Sequence, residues 1–310
     1  MIQLKILRNC NRNLHVNKDI IKSYGRKIFT VLLMTVFVCM MSSCGKKENK
    51  NADVDTNIVD NLSVDFLNVG KGDCAIIRMK KHTYMIDTGY EETAQSVITF
   101  LQNNKIKTID GMIITHFDKD HVGGASQILN QFDVKKIYMP DYEGEGNKYK
   151  KFIEYLSNRN LNNIITRVTQ DISIEAEGVK IDIYAPKMDT YSQENDYSLV
   201  TKIIHNKNSF LFAADAEATR LGELLGEPML DSDVLKVPHH GKLEKNSIQF
   251  IDEVDPQYAI ITCDTEGEVA ASIIYEMENI GSEYYFNCNG NVRCISDGNG
   301  NISINQETNQ

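Results

Sequence analysis

The chain has 310 residues and a formal net charge of −10 at pH 7, with 33 basic and 43 acidic side chains. This length allows one large domain or two small ones. The acidic excess argues against broad, sequence-independent binding of nucleic acid, because an acidic surface repels a polyanion.

The first 44 residues differ from the rest of the chain. A basic stretch is followed by an apolar run of 14 residues, Ile28 to Met41, and then by two serines and Cys44. The run is too short to cross a bilayer of roughly 30 Å as a helix, but its length suits the apolar core of an export signal. The order resembles a bacterial lipoprotein signal, so residues 1–44 are predicted to be a signal sequence with lipidation at Cys44. A plain signal peptide or an uncleaved anchor is the alternative.

The segment that follows Cys44 is polar and lacks periodicity. Residues 45–61 are rich in Asn, Lys and Asp, and we predict a flexible tether to a domain that spans residues 62–310. Residues 1–44 carry seven basic side chains and one acidic side chain, so the remainder has a net charge of about −16. We expect an exported protein, lipid-anchored at the extracellular face of the cell membrane.

Alternating and continuous apolar runs predict the elements of that domain in chain order. The first half is predicted to contain strands at 62–69, 75–79 and 83–86, a helix at 91–103, a strand at 112–115, a helix at 122–129, a strand at 136–139 and a helix at 149–157. The second half is predicted to contain strands at 179–184, 198–204 and 209–213, a helix from 217, a strand at 234–237, a helix near 248–254, a strand at 258–263 and a hairpin of 284–287 with 292–296. Two halves with this order predict two sheets packed face to face with helices outside.

Four cysteines follow the leader: Cys74, Cys263, Cys288 and Cys294. In a hairpin turning at Asn289-Gly290, Cys288 and Cys294 are too far apart for a disulfide. Because short-spaced zinc patterns are also absent, we predict neither a disulfide framework nor a cysteine metal site.

The stretch from Thr115 to Gly124 carries the strongest chemical signal. It places two histidines and two aspartates within six residues, directly after the buried strand at 112–115. Imidazole nitrogen and carboxylate oxygen are the usual ligands of hydrolytic Zn²⁺ or Mn²⁺, and one tight loop can direct several of them inward. A solvated polar turn is the alternative for this stretch taken alone.

Three further fragments place polar side chains at strand ends. Asp87 follows one apolar strand, Asp215 follows another, and His239 with His240 follows a third. A single acid at a strand end is usually a turn former or a helix cap. Four such fragments in one chain favour a common site.

Together these fragments resemble the metallo-β-lactamase superfamily, and more closely the C-terminal domain of ComEC-type DNA-uptake proteins. The matching blocks, in the family's order, are Phe66–Asp73, Ile86–Gly89, Thr115–Gly124, Asn195–Leu199, Ala214–Glu217 and Val237–Gly241. The resemblance implies an α/β fold: an αββα sandwich of two mixed sheets with outer helices, and two divalent metal ions, Zn or Mn, between the sheet edges.

The resemblance also implies roles for individual residues. The implied metal ligands are His116 and Asp118 at the first site, Asp120 and His121 at the second, Asp215 between them, and His239 completing the second site. His239 is preferred because it stands nearer the strand end, which leaves His240 either behind the ligands or facing substrate, where it would be a catalytic residue beside Asp120. Asp73 and Asp87 are expected behind the ligands.

This chain departs from the commoner superfamily pattern at several positions. Asp118 stands where histidine is usual, and no histidine occurs at Asn195–Ser198, so the first site is rich in oxygen ligands and its preference shifts toward Mn²⁺. Ala214 replaces a usual glycine and Lys242 a usual serine.

Three classes of function are considered. The first is a surface-tethered hydrolase of phosphodiesters, with nucleic acid as a candidate substrate, acting through a metal-activated water; without a channel, DNA import by this chain alone is not expected. The second is a metallohydrolase of a small-molecule or cell-wall substrate such as a phosphocholine ester, lactam or lactone; the acidic loop from Asp141 to Tyr149 suits a neutral or cationic ligand. The third is a binding module with a degenerate site. No protein partner is inferred.

Overall fold

Two mixed β-sheets lie face to face in the computed structural model of the chain, which describes residues 61–307. The described residues fall within one unit, Ile58–Gln310. The predicted signal sequence, with Cys44, and nearly all of the predicted tether lie outside the described residues.

The strands of the described part alternate buried and more exposed positions or are buried throughout. In chain order they are β1 (Leu62–Phe66), β2 (Ala75–Arg78), β3 (Thr83–Ile86), β4 (Thr108–Ile109), β5 (Gly111–Ile113), β6 (Asp133–Val134), β7 (Ile137–Pro140), β8 (Ile165–Val168), β9 (Ile172–Ala176), β10 (Val179–Tyr184), β11 (Val200–His205), β12 (Asn208–Phe212), β13 (Val234–Lys236), β14 (Tyr258–Ile261), β15 (Glu283–Phe286), β16 (Val292–Ser296) and β17 (Ile302–Gln306).

Within residues 61–307 the strands form two large sheets and one small one. The first sheet has the order β17-β16-β1-β2-β3-β5-β7-β8, and the second has the order β15-β14-β13-β12-β11-β10-β9. Strands β3, β5, β7 and β8 are parallel to one another, as are β12 to β15. Strands β4 and β6 form a separate parallel pair. Parallel strands end at the same sheet edge, so residues that follow them are brought together.

The α-helices of the described part cover the outer faces of both sheets. They are α1 (Ala94–Asn103), α2 (Lys119–Val122), α3 (Ala125–Gln131), α4 (Asn147–Asn158), α5 (Ala218–Leu224), α6 (Ser247–Val254) and α7 (Ala271–Ile280). None of the described helices has the length and apolar character needed to span a membrane.

Three apolar clusters define the layers. The central cluster lies between the sheets and takes alternate residues of each strand, such as Val179, Ile181 and Ile183 of β10. One outer cluster packs α1, α3 and α4 on the first sheet, and the other packs α5, α6 and α7 on the second. This order of layers is the predicted αββα sandwich.

The predicted hairpin at the end of the domain is wrong. Strand β15 pairs in parallel with β14 in the second sheet, whereas β16 pairs with β1 and β17 in the first. The segment with Asn289-Gly290 therefore crosses from one sheet to the other, and Gly290 has a φ of 137° with the carbonyl of Glu307 against it. Alternation along two adjacent strands does not specify which sheet each strand joins, so the sequence pattern predicted the strands correctly but paired them wrongly.

The predicted helix at 122–129 corresponds to α3, which begins at Ala125, whereas Val122 is the last residue of the short α2. Gly123 and Gly124 stand between the two helices, and a Cβ at Gly124 would lie 2.6 Å from the carbonyl oxygen of Thr88. This close approach holds the loop that follows β5 against the loop that follows β3.

Candidate metal centre

The candidate site lies where strands of both sheets end. Asp87 follows β3, the loop from Thr115 follows β5, and the residues after β12 and β13 approach from the second sheet. Backbone φ values are positive at Asp87 (57°), Ala214 (49°), His239 (48°) and His240 (54°). Such conformations are unfavourable for residues other than glycine and cluster at functional sites. Here they make the sharp turns that direct side chains into the space between the sheets, and they explain why glycine is usual at the position of Ala214.

Four side chains converge to form the centre of the site. One donor atom from each lies within 4.8 Å of the others, and the four residues are Asp120, His121, Asp215 and His240. Oδ2 of Asp215 lies 3.0 Å from Nε2 of His240 and 3.3 Å from Nε2 of His121. Nε2 of His240 also lies 3.6 Å from Oδ2 of Asp120. Two imidazoles and two carboxylates so arranged are the donor set of a hydrolytic divalent metal.

His116 lies beside this group. Its ring centroid is 4.0 Å from that of His121, and its side chain is fully buried. Burial lowers the pKa of His116 to about 3, so the imidazole is neutral near pH 7, as a metal ligand must be.

Unpartnered nitrogen atoms show that the site fits a metal. Among the described residues, Nε2 of His116, His121 and His240 are buried and accept or donate no hydrogen bond. A buried polar atom without a partner is unfavourable unless something else binds it. A divalent metal ion bound among these three nitrogen atoms and the nearby carboxylates would give each nitrogen a partner.

Asp118 lies at the more open side of the site. Its side chain is partly buried, and burial, followed by the negative charges of Asp120 and Asp215, raises its pKa. A nearby cation would relieve this repulsion, although Asp118 is not one of the four converging residues.

Asp87 contacts His121 from behind the four converging residues. Its Oδ2 lies 2.7 Å from Nδ1 of His121, and it accepts hydrogen bonds from the backbone N–H of Thr115 (2.8 Å) and from its hydroxyl (2.6 Å). A His121 that donates from Nδ1 has Nε2 available as an acceptor toward the cluster. Burial raises the pKa of Asp87 against the opposing effect of His121.

His240 is held in the same way by a second chain of contacts. Its Nδ1 lies 2.9 Å from Oγ1 of Thr262, which follows β14, and that hydroxyl donates to Oδ1 of Asp73 at 2.8 Å. Asp73 and Asp87 therefore both lie behind the converging residues, and Thr262 is a positioning residue that the sequence reasoning missed.

Lys236 is the other residue that the sequence reasoning missed. It is buried on β13, where its Nζ lies 2.5 Å from Oδ2 of Asp73 and 3.5 Å from Oδ1 of Asp215, and donates to the carbonyl oxygen of Ala214 at 3.1 Å. Because Lys236 lies at Oδ1 of Asp215, Oδ2 is left to face the histidines. A lone lysine within an apolar strand was the available signal, because buried lysine requires a paired charge.

The charges of the cluster balance one another. Burial opposes ionisation of Asp215, but His240, His121 and Lys236 outweigh it and hold the pKa of this carboxyl well below its usual range. Burial also opposes ionisation of Asp120, yet the neighbouring imidazoles of His240 and His121 lower the pKa of this carboxyl to about 2. Both carboxylates are therefore ionised at neutral pH, ready to bind a cation.

His239 is not one of the four converging residues. Its Nδ1 lies 3.2 Å from Oε1 of Glu244, and its Nε2 lies 2.8 Å from Nζ of Lys242. The distances thus favour His240, not the His239 preferred from the sequence, as the histidine of the second sheet that faces the site. The physical reason is the pair of consecutive left-handed residues, which turns the two neighbouring side chains in different directions.

Aromatic side chains close one side of the site. Tyr142 stacks on Tyr197 with ring centroids 4.2 Å apart, and its hydroxyl accepts the N–H of Phe117 at 3.1 Å. The acidic loop 141–149 therefore lies against the loop that follows β5. Tyr149, the last residue of this loop, already belongs to α4, and its ring packs on Phe117.

The rim of the site is mainly acidic. Glu217 and Glu244 lie 3.7 and 3.2 Å from Nδ1 of His239, and Glu194 raises the pKa of Asp118 through its charge. Lys242 is the cation that contacts His239 at this rim.

Comparisons with known proteins place the chain among metal-dependent hydrolases. A family model described as Metallo-beta-lactamase superfamily matches residues 67–263. ComE operon protein 3 of Bacillus subtilis is 26% identical over 218 residues, which cover 64% of this chain and 28% of that protein. Recombination protein 2 of Haemophilus influenzae is 28% identical over 204 residues, covering 64% and 24% respectively. Ribonuclease J of a Synechocystis species is 46% identical over 43 residues, 14% of this chain and 7% of that protein.

The first two of these relatives are much longer than the matched region. The chain spans about a quarter of the length of each. The range matched by the family model, 67–263, includes all four converging residues.

Proposed function

The chain belongs to the metallo-beta-lactamase superfamily of hydrolases, and we propose from this that it is a metal-dependent phosphodiesterase with two divalent ions at the candidate site. The convergence of Asp120, His121, Asp215 and His240 within 4.8 Å carries the proposal. The unpartnered Nε2 of His116 supports a second ion beside the first, with Asp118 as its oxygen ligand.

The protein residues divide into ligands and groups that position them. Asp215 would be a ligand through Oδ2 while Lys236 contacts Oδ1, and Asp87 and Thr262 would orient the ligands His121 and His240. We propose His240, rather than His239, as the ligand from the second sheet. When bound, two such ions supply an activated water and stabilise the negative charge that develops at phosphorus. Asp120 is ionised and only partly buried, so we assign it the role of proton acceptor in addition to that of a ligand.

Charge supports a small phosphodiester as the preferred substrate. The net charge of residues 45–310 is about −16, and the rim of the site carries Glu194, Glu217 and Glu244. Both features oppose a long polyanion. The names of the relatives, which refer to competence, recombination and ribonuclease activity, support nucleic acid as the other phosphodiester to be tested.

A second candidate function is hydrolysis of a neutral or cationic small-molecule or cell-wall substrate. The same acidic rim favours it, because carboxylates at the entrance attract a cationic group. The fold does not distinguish these chemistries.

Hydrolysis of bis-p-nitrophenyl phosphate tests the proposal. We expect the metal-loaded protein to hydrolyse it, faster with Mn²⁺ than with Zn²⁺, and Asp120→Ala to lose at least about 100-fold in rate because a ligand and proton acceptor is removed.

DNA cleavage is expected to require millimolar divalent cation beyond site occupancy, since excess ions must screen the acidic surface.

The matched control is Asp133→Ala, which removes an exposed carboxylate of β6 and should leave the rate unchanged. Turnover of the lactam nitrocefin without phosphodiester hydrolysis under either metal would contradict the proposal and favour the second function.

Anchoring is proposed from the sequence of the leader. If Cys44 carries a diacylglycerol, the protein should partition into the detergent phase, and Cys44→Ala should abolish that partitioning because a stable anchor requires more than one acyl chain. Cys39→Ala, five residues earlier in the apolar run, is the control. Unchanged partitioning of Cys44→Ala would show that the lipoprotein interpretation is wrong.

A further inference from the structure

Two cysteine thiols meet where the chain crosses from one sheet to the other. Sγ of Cys263, two residues after β14, lies 3.3 Å from Sγ of Cys288, two residues after β15. Cys263 is buried and Cys288 is partly exposed. The residues that connect β15 to β16, 287–291, are called the crossover here.

The backbone around both cysteines is fixed by hydrogen bonds. The N–H of Cys263 donates to Oδ1 of Asn287 at 3.0 Å, and the side chain of Asn287 donates to the carbonyl oxygen of Leu67 at 3.0 Å. The carbonyl oxygen of Cys288 accepts a hydrogen bond from Asn68 at 3.3 Å. The fold therefore places the backbone of the two cysteines close enough for their sulfur atoms to lie 3.3 Å apart.

We propose that Cys263 and Cys288 are an oxidation site that forms a disulfide with a low-molecular-weight disulfide as the oxidant. The partly exposed Cys288 attacks the oxidant, forming a mixed disulfide and releasing one small thiol. Cys263 then attacks the sulfur of Cys288, releases the second small thiol and forms the Cys263–Cys288 bond. Both protein thiols lose their protons and together give up two electrons, which reduce the small disulfide to two thiols.

The disulfide would link Cys288 of the crossover covalently to Cys263, which follows β14 of the second sheet. It would close a loop of about 25 residues that contains α7 and β15, which removes conformational freedom from the unfolded chain. Cys263 also directly follows Thr262, which contacts His240, so the bond would lie next to a residue that positions the metal centre.

Peptide mapping of the full chain after exposure to oxidised glutathione tests this site. Residues 246–292 contain no lysine or arginine, so trypsin leaves both cysteines in one peptide, and a Glu-specific protease then separates them. We expect a cross-linked pair of peptides that separates on reduction, and a melting temperature about 5 °C or more above that of the reduced protein.

Variants identify the pair. Cys263→Ser and Cys288→Ser should each lose the cross-link and the rise in melting temperature, while Cys294→Ala, which removes a buried thiol of β16, should keep both. If Cys263→Ser does not fold, Cys288→Ser suffices because its side chain is partly exposed. Alkylation of both thiols after oxidation, or a mixed disulfide that stops at Cys288, would overturn the proposal.

Discussion

Asp215→Ala is expected to lose more than one of the two proposed metal ions per chain and to reduce phosphodiester hydrolysis by at least about 1000-fold. The reason is the position of the carboxylate. Its Oδ2 lies within 3.3 Å of Nε2 of both His121 and His240, so one oxygen serves the whole cluster. Elemental analysis after loading with Mn²⁺ or Zn²⁺, together with the rate, measures both effects.

The fold should survive this substitution. Lys236 keeps its contact with Asp73 at 2.5 Å, so its buried charge stays paired when Asp215 is removed. Asp215→Asn is the matched variant: it preserves shape and removes the charge, and it should lose metal as well. A correctly folded Asp215→Ala that retains two ions per chain would contradict the proposed centre.

His240→Ala and His239→Ala are expected to differ sharply, although the residues are neighbours. Nε2 of His240 faces Asp215 at 3.0 Å, whereas both ring nitrogens of His239 contact rim residues, Glu244 and Lys242. We expect His240→Ala to weaken metal binding by at least about 100-fold, more than the usual loss of an outer positioning group, and His239→Ala to change it by less than about threefold.

Metal titration of both variants by calorimetry makes this comparison, with the unsubstituted protein as the reference. The substitutions remove the same side chain from adjacent positions, so each controls for the other. Loss of metal in His239→Ala with retention in His240→Ala would restore the preference for His239 that the sequence suggested.

Much of the architecture could be predicted from the sequence because its signals are local. Apolar alternation specifies strands such as β10, and the layers follow from the order of strands and helices. The signal from His116 to His121 is equally local, because its two histidines and two aspartates lie within six residues on one strand-to-helix connection.

Three other features depend on which strands become neighbours, and these the sequence pattern missed. Strands β15 and β16 resemble a hairpin but join different sheets, because period-two alternation describes the faces of a strand and not its partners. Lys236 is a charged residue in an otherwise apolar strand, and the sequence pattern does not show its partner. In the structure, β13 places it against Asp73, which lies just before β2 of the first sheet. Cys263 and Cys288 are 25 residues apart in sequence and meet because β14 and β15 pair in parallel.

The sequence by itself thus determined the family resemblance, the two-sheet sandwich and the set of chemical groups that converge. Only the tertiary structure decided which of two adjacent histidines faces that set, since the choice depends on positive φ angles at His239 and His240 that no side-chain pattern records. It also decided which buried charges pair across the sheets, because such pairing requires distances between strands that are far apart in the chain.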